Sequence, residues 1–273
     1  MGWKRWVGGF VLTASAATAS AQSVYPAIAS SSALLVDAKT GQVLYAKNSE
    51  QVHTIASLTK LMTALVWLDN AIPWNTQVAI HEQDVDIIKN SKSRLRVGST
   101  WTVEQLFAAM LIGSDNRAAH ALARTSPGGT EVFIQKMNTK AKAMGLTHTT
   151  FVDASGLNPQ NMSTPRDIAL LTAYAAQSEP IRTYSTQTQY ALSTRLSFRN
   201  TNRLVRDRLW SQLWISKTGF TNEAGRCVAM MGMWGTQPIL LVLLDSHSTK
   251  ARENDANTLQ RWFAGLQSKV MIQ

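Results

Sequence analysis

The chain has 273 residues, of which 45% are hydrophobic and 16% charged; this permits a sizeable buried core and excludes a disordered, fibrous or low-complexity protein. Its formal charge of +10 suits an acidic partner, whether nucleic acid, membrane surface or anionic polymer. A single cysteine, Cys227, excludes an internal disulfide, so packing alone must hold the fold.

Residues 1–21 read as a signal peptide. Lys4 and Arg5 supply the positive start, Trp6 to Ala17 a short apolar stretch, and Ala19-Ser20-Ala21 a small-x-small cleavage pattern that puts the mature start at Gln22. The stretch is shorter than the about 20 apolar residues that span a bilayer, so no stable membrane anchor is expected after cleavage. Losing Lys4 and Arg5 takes the charge from +10 to +8. Export removes nucleic acid from the candidate partners and leaves the cell wall with its anionic polymers.

Residues 22–273 are expected to form a single catalytic domain. Ala33 to Asp37 and Val43 to Ala46 are apolar runs joined by Ala38-Lys39-Thr40-Gly41-Gln42, a hairpin signature with glycine in the turn. Thr54 is the expected N-cap of a helix reaching about Asn70, with Leu58, Leu61, Met62 and Leu65 on its apolar face. Helical spacing recurs over Thr102 to Met110, Arg117 to Arg124 and Glu131 to Met144, and Thr164-Pro165-Arg166-Asp167 opens a further helix with proline in a permitted first-turn position. From about residue 190 the pattern changes. Leu213 to Ser216, Gly225 to Met233 and Pro238 to Asp245 read as strands, the second carrying Cys227 as an inert buried thiol. Lys250 to about Lys269 closes the chain as an amphipathic helix with Leu259, Trp262, Phe263 and Leu266 as its buried stripe. Strands at both ends with a helical block between them, about residues 75–180, predict an α/β (α+β) fold. One sheet is completed by distant segments, and a mostly helical lobe is inserted into it.

Three short motifs carry chemistry, in this order: Ser57-Leu58-Thr59-Lys60, Ser114-Asp115-Asn116 and Lys217-Thr218-Gly219. On a helix, Ser57 and Lys60 face the same way, so a neutral Lys60 amine can accept the hydroxyl proton as Ser57 attacks. Burial, or a second cation such as Lys217, lowers a lysine pKa far enough to allow this. Ser114 offers a hydroxyl to relay that proton to a leaving amine. Asn116 is placed to hydrogen-bond a substrate amide or the Lys60 amine. Lys217 supplies charge for a substrate carboxylate, Thr218 a hydroxyl, and Gly219 room for substrate beside the strand. A second Lys-Thr-Gly, Lys39-Thr40-Gly41, precedes Ser57 and falls in the hairpin turn, so it reads as turn chemistry.

The three motifs together resemble the signature of penicillin-binding proteins and class A β-lactamases. Thr54 to Ala64, Leu111 to Ala119, Phe198 to Asn202 and Lys217 to Gly225 are each similar to segments of the low-molecular-weight penicillin-binding proteins, the D-alanyl-D-alanine carboxypeptidases and endopeptidases. The resemblance spans about residues 30 to 265. It implies a β-lactamase/transpeptidase-like fold: a five-stranded antiparallel sheet flanked by helices, with the cleft against a mostly helical lobe. It also implies an oxyanion hole from the backbone N–H groups of Ser57 and Phe220. The implied partners are peptidoglycan stem peptides in the periplasm and β-lactams, which form a covalent adduct on Ser57. No cofactor and no metal is expected. The carboxypeptidases of the family typically add a β-rich C-terminal domain, and this sequence stops at Gln273 after the closing helix, so the endopeptidase branch is expected, with carboxypeptidase the alternative.

Three other readings conflict with the sequence. A class A β-lactamase needs a deacylating glutamate after Ser-Asp-Asn, and Thr147 to Asn158 contains Asp153 but no glutamate. A non-catalytic penicillin-recognising module conflicts with the presence of both Ser57 and Lys60. His81-Glu82 superficially suggests a zinc-protease motif but has no second histidine at helical spacing. Arg94-Leu95-Arg96 is read as a strand edge, and Asn200-Thr201-Asn202 as loop chemistry bordering the cleft.

Overall fold

The apolar runs near the two ends of the chain pair into one sheet. β1 (Ser32–Asp37) and β2 (Val43–Lys47) come from the start, and β9 (Leu213–Thr221), β10 (Gly225–Trp234) and β11 (Gln237–Ser246) from the end. Their order is β2-β1-β11-β10-β9, with every neighbouring pair antiparallel. The computed structural model describes residues 25–270 apart from 71, 209 and 211, so the expected signal peptide lies outside the described residues.

The strand period of two divides the core between two faces. Leu34, Val36, Ile215, Ala229, Leu240, Val242 and Leu244 point to one face, where they meet Leu58, Leu61, Met62, Phe107 and Ile168 in the larger cluster. Ala33, Leu35, Val228, Met230, Leu241 and Leu243 point to the other and pack on Leu259 and Phe263 of α8 (Thr249–Val270). β11 is covered on both sides, which is why Ile239 to Leu244 is an unbroken apolar run. Trp234 belongs to the second cluster, edge-on to Trp210, so it is a packing residue.

Among the described residues, seven helices run between β2 and β9: α1 (Thr59–Leu68), α2 (Val103–Ile112), α3 (Asn116–Thr125), α4 (Gly129–Ala143), α5 (Pro165–Ala175), α6 (Glu179–Thr186) and the short α7 (Arg203–Arg206). α2 has a capping box, Thr102 accepting from Gln105 N–H while the Gln105 side chain accepts from Thr102 N–H, a motif that stabilises a helix by about 1 kcal/mol. Small pairings punctuate the block: β3 (His53–Thr54) with β6 (Met162–Ser163), β4 (Gln77–Ala79) with β5 (Thr100–Thr102), and β7 (Gln189–Ser193) with β8 (Leu196–Arg199). No described helix is long and apolar enough to cross a membrane.

Thr54 is not a helix cap. Its pairing with Met162 keeps residues 53–54 extended, and its hydroxyl donates to Pro159 O at 3.2 Å. The helix begins instead through a 3-10 turn, Ala56–Leu58, with Ile55 at the cap position and no side-chain cap. His81 is likewise structural: it caps a 3-10 turn at Glu82–Asp84 in a reciprocal box with Asp84.

Candidate active site

The edge strand β9 lies against the 3-10 turn that carries Ser57, and this contact brings the first and last motifs together. A Cβ placed on Gly219 would stand 2.9 Å from Ile55 O and 3.2 Å from Ser57 N. Gly219 is therefore needed for the approach of two backbones, and the neighbouring Ser57 and Phe220 amides belong to the segments it joins. This differs from the expected use of the glycine: the space is taken by the chain itself. The backbone just before Ser57 is strained, Ala56 having φ 45°.

Lys60 follows one turn later on α1 and is wholly buried. Its Nζ donates to Ser57 Oγ at 2.9 Å, to Asn116 Oδ1 at 2.7 Å and to Ser155 O at 2.6 Å. Burial brings its pKa down to about 7, against the upward pull of Asp153, Asp115 and Asp86. The largest cause is thus loss of solvent. At neutral pH a large fraction of Lys60 is the free amine, the form that can take the Ser57 proton.

Ser114 sits in the link between α2 and α3, in the left-handed region at φ 57°. Asp115 caps α3 by accepting from Ala118 N–H at 3.0 Å, which puts Asn116 on the first helical turn facing Lys60. The Asn116 amide nitrogen donates to Ser91 Oγ at 2.8 Å, so both ends of that side chain are held inside the protein. Lys217 on β9, 1% exposed, donates to Ser114 Oγ at 2.9 Å and to Thr218 O at 3.0 Å. Burial first, then the charges of Lys60 and Arg252, push its pKa well below the usual lysine value. The site therefore contains two parallel pairs, Lys60 on Ser57 and Lys217 on Ser114. Thr218 shares a 2.6 Å hydrogen bond with Thr201, the one member of the Asn200-Thr201-Asn202 run that reaches the site. Asn200 and Asn202 instead hold backbone and Ser216.

Several participants gave no sequence signal. Ser155 O is a backbone carbonyl, and it is aimed at Lys60 by a turn wound around Asp153. That carboxylate accepts from Ser155 N–H and Gly156 N–H at 2.6 Å each and from Asn158 N–H at 2.7 Å. Burial raises the Asp153 pKa, but these hydrogen bonds outweigh it and leave the carboxyl below its ordinary value. His120 bridges Asp84 O and Ser155 Oγ and braces the same turn. Cys227 lies buried in β10, its thiol pKa pushed up to about 11 by burial, which matches an inert thiol.

A Ser-Lys pair beside a Ser-Asp-Asn turn and a Lys-Thr-Gly strand holds the kinds of group that acyl transfer uses, and the chain is similar to known proteins. A family model, peptidase S11, described as D-alanyl-D-alanine carboxypeptidase, matches residues 16–248. The chain belongs to the peptidase S11 family. Among curated relatives, a D-alanyl-D-alanine endopeptidase of Pseudomonas aeruginosa is 39% identical over 86% of this chain and 77% of its own length. A D-alanyl-D-alanine endopeptidase of Escherichia coli is 38% identical over 92% of this chain and 81% of its own. Among solved structures, the Streptomyces K15 DD-transpeptidase superposes with a TM-score of 0.80 at 31% identity, covering 88% of this chain and 98% of that one. The five-stranded antiparallel sheet with its helices is the fold expected from the sequence.

Proposed function

We propose that this S11 peptidase is a periplasmic serine DD-endopeptidase that cuts D-alanyl–diaminopimelate cross-links of peptidoglycan. The observation that carries the chemistry is the 2.9 Å hydrogen bond between a buried Lys60 amine, with pKa about 7, and Ser57 Oγ. The endopeptidase-named relatives at 38–39% identity support the choice of bond.

In this reading Ser57 Oγ attacks the D-alanyl carbonyl as its proton passes to neutral Lys60. The oxyanion is met by the N–H groups of Ser57 and Phe220. When the C–N bond breaks, Ser114 relays a proton to the departing amine, so the net transfer is the serine proton to nitrogen. Water then attacks the ester, and one of its protons restores the Ser57 hydroxyl. Asn116 holds Lys60, Lys217 and Thr218 lie on the strand edge along which substrate lies, and Gly219 lets that strand close on Ser57. Asp153 is a poor deacylation base, because three backbone N–H groups occupy its oxygens and hold its pKa low. A penicillin is therefore expected to acylate Ser57 and stay bound.

The test compares a cross-linked muropeptide dimer with a monomeric pentapeptide. Cleavage of the dimer with little D-alanine released from the pentapeptide supports the endopeptidase. The opposite result makes the protein a D-alanyl-D-alanine carboxypeptidase. Full hydrolysis by a Ser57→Ala variant would remove the nucleophile assignment, and rapid turnover of a fluorescent penicillin would make the protein a β-lactamase.

A further inference from the structure

A pocket of about 180 Å³ opens beside Ser114 and Asn116, and Lys92, Arg94, Phe198 and Arg199 complete its lining. Lys92, Arg94 and Arg199 are all exposed, and none of them forms an ion pair among the described residues. Asp115 also borders the pocket, but its carboxylate is buried and engaged by Ala118 N–H and the Ser93 hydroxyl. The rim thus presents three positive charges to whatever enters.

The rim is also partly pre-set. The Arg94 guanidinium lies over the Phe198 ring, 4.3 Å from its centroid. Phe198 is buried and seated directly on the backbone of Gly113, where a Cβ would come within 2.1 Å of the ring. A guanidinium resting over a fixed ring has lost some of its freedom before ligand arrives, which lowers the cost of gripping a carboxylate with its planar fork.

We propose that Lys92, Arg94 and Arg199 form a carboxylate-binding subsite for the departing stem peptide and so favour a cross-linked dimer over a monomeric pentapeptide. The inference rests on the endopeptidase reading above. Ser114 passes the proton to the departing amine, so a pocket walled by Ser114 lies on the leaving-group side of Ser57. A carboxypeptidase releases D-alanine, whose single carboxylate needs one partner. An endopeptidase releases a whole second stem peptide, and its diaminopimelate and glutamate carry further carboxylates past the broken bond. Cations beyond Lys217 answer that difference in charge.

The test measures kcat/KM for the dimer and the pentapeptide, and the acylation rate by a fluorescent penicillin, in wild type, Arg94→Ala, Arg199→Ala and the double variant. Each arginine lost is expected to lower kcat/KM for the dimer about tenfold, the range for a hydrogen bond to a charged group, with added salt narrowing the gap. Penicillin acylation is expected to stay within about twofold, since that ligand carries no second stem peptide. A dimer whose acceptor carboxylates are amidated is expected to be a poor substrate for wild type and no worse for the double variant. Equal loss on dimer, pentapeptide and penicillin overturns the subsite and makes the arginines structural. Unchanged dimer cleavage in the double variant, or wild type indifferent to amidation, overturns it as well. A wild type that trims pentapeptide and leaves the dimer intact overturns the endopeptidase reading itself, so the two failures are distinguishable.

Discussion

The tripeptide Lys-Thr-Gly occurs twice in this molecule, and the two copies behave as different chemistry. At 39–41 it turns the β1–β2 hairpin. Asp37 Oδ1 accepts from Lys39 N–H at 2.7 Å and Thr40 N–H at 3.1 Å, Gly41 takes φ 76°, and the lysine and threonine side chains are exposed. At 217–219 the same residues form part of a sheet edge. Lys217 is buried against Ser114, Thr218 bonds Thr201, and Gly219 is pressed on the backbone beside Ser57. One glycine is used for its conformational freedom and the other for its lack of a side chain. The difference shows that a short motif acquires its chemistry from what packs on it. An exposed lysine is an ordinary solvated cation, whereas a buried one placed on a hydroxyl has a lowered pKa and a fixed direction.

Substitutions separate the two copies by size of effect. Lys217→Met leaves the relay hydroxyl of Ser114 without its partner and is expected to lower acylation by penicillin about 10³-fold, within the range for disabling a proton relay, when measured as the rate of label incorporation. Acidification acts through Lys60: its folded pKa is depressed to about 7, so it is the free amine above that pH and charged below. Since the free amine is the base, acylation is expected to rise through about pH 7 and to be roughly 10²-fold slower at pH 5, one factor of ten per unit. A flat profile across that range would remove Lys60 from the role of base. Gly219→Ala must displace Ile55 O or Ser57 N, neither of which is a flexible side-chain end. Acylation is expected to fall about 10²-fold with the folded structure retained by circular dichroism, as when reacting groups are misplaced by a fraction of an ångström to one ångström.

The hairpin copy is expected to answer in stability alone. Gly41→Ala forces a side chain into the left-handed region and is expected to cost about 1 kcal/mol in urea unfolding with acylation unchanged. Lys39→Ala is expected to leave both stability and acylation within error, because the side chain is exposed on a turn that its backbone and Asp37 already hold. Loss of acylation in either variant would break the distinction between the two copies.

The structure agrees with the sequence reading where a pattern repeats over many residues. The apolar runs of β1, β10 and β11 and the helical spacing in α1 to α5 each repeat a burial requirement several times. The reading missed β7 and β8, whose turn at 194–195 lacks glycine, proline or asparagine, and the two-residue pairings β3 and β6, too short for a period to register. Thr54 was misread for the same reason. A threonine before an apolar helix signals a cap from local sequence, but its pairing with Met162, more than a hundred residues away, settles its conformation.

By itself the sequence determined the composition of the machinery: a serine and lysine one turn apart, a Ser-Asp-Asn between helices, and a Lys-Thr-Gly on a late strand. Those are local relations, set by helical and strand periods. Tertiary structure decided which Lys-Thr-Gly is packed at the site, that Lys60 is dry enough to titrate near neutrality, that Ser155 O is its third partner, and that Arg94 lies over the Phe198 ring. Each of these depends on groups distant in sequence closing over one another. Desolvation and direction arise only from that closure, and no stretch of neighbouring residues encodes them.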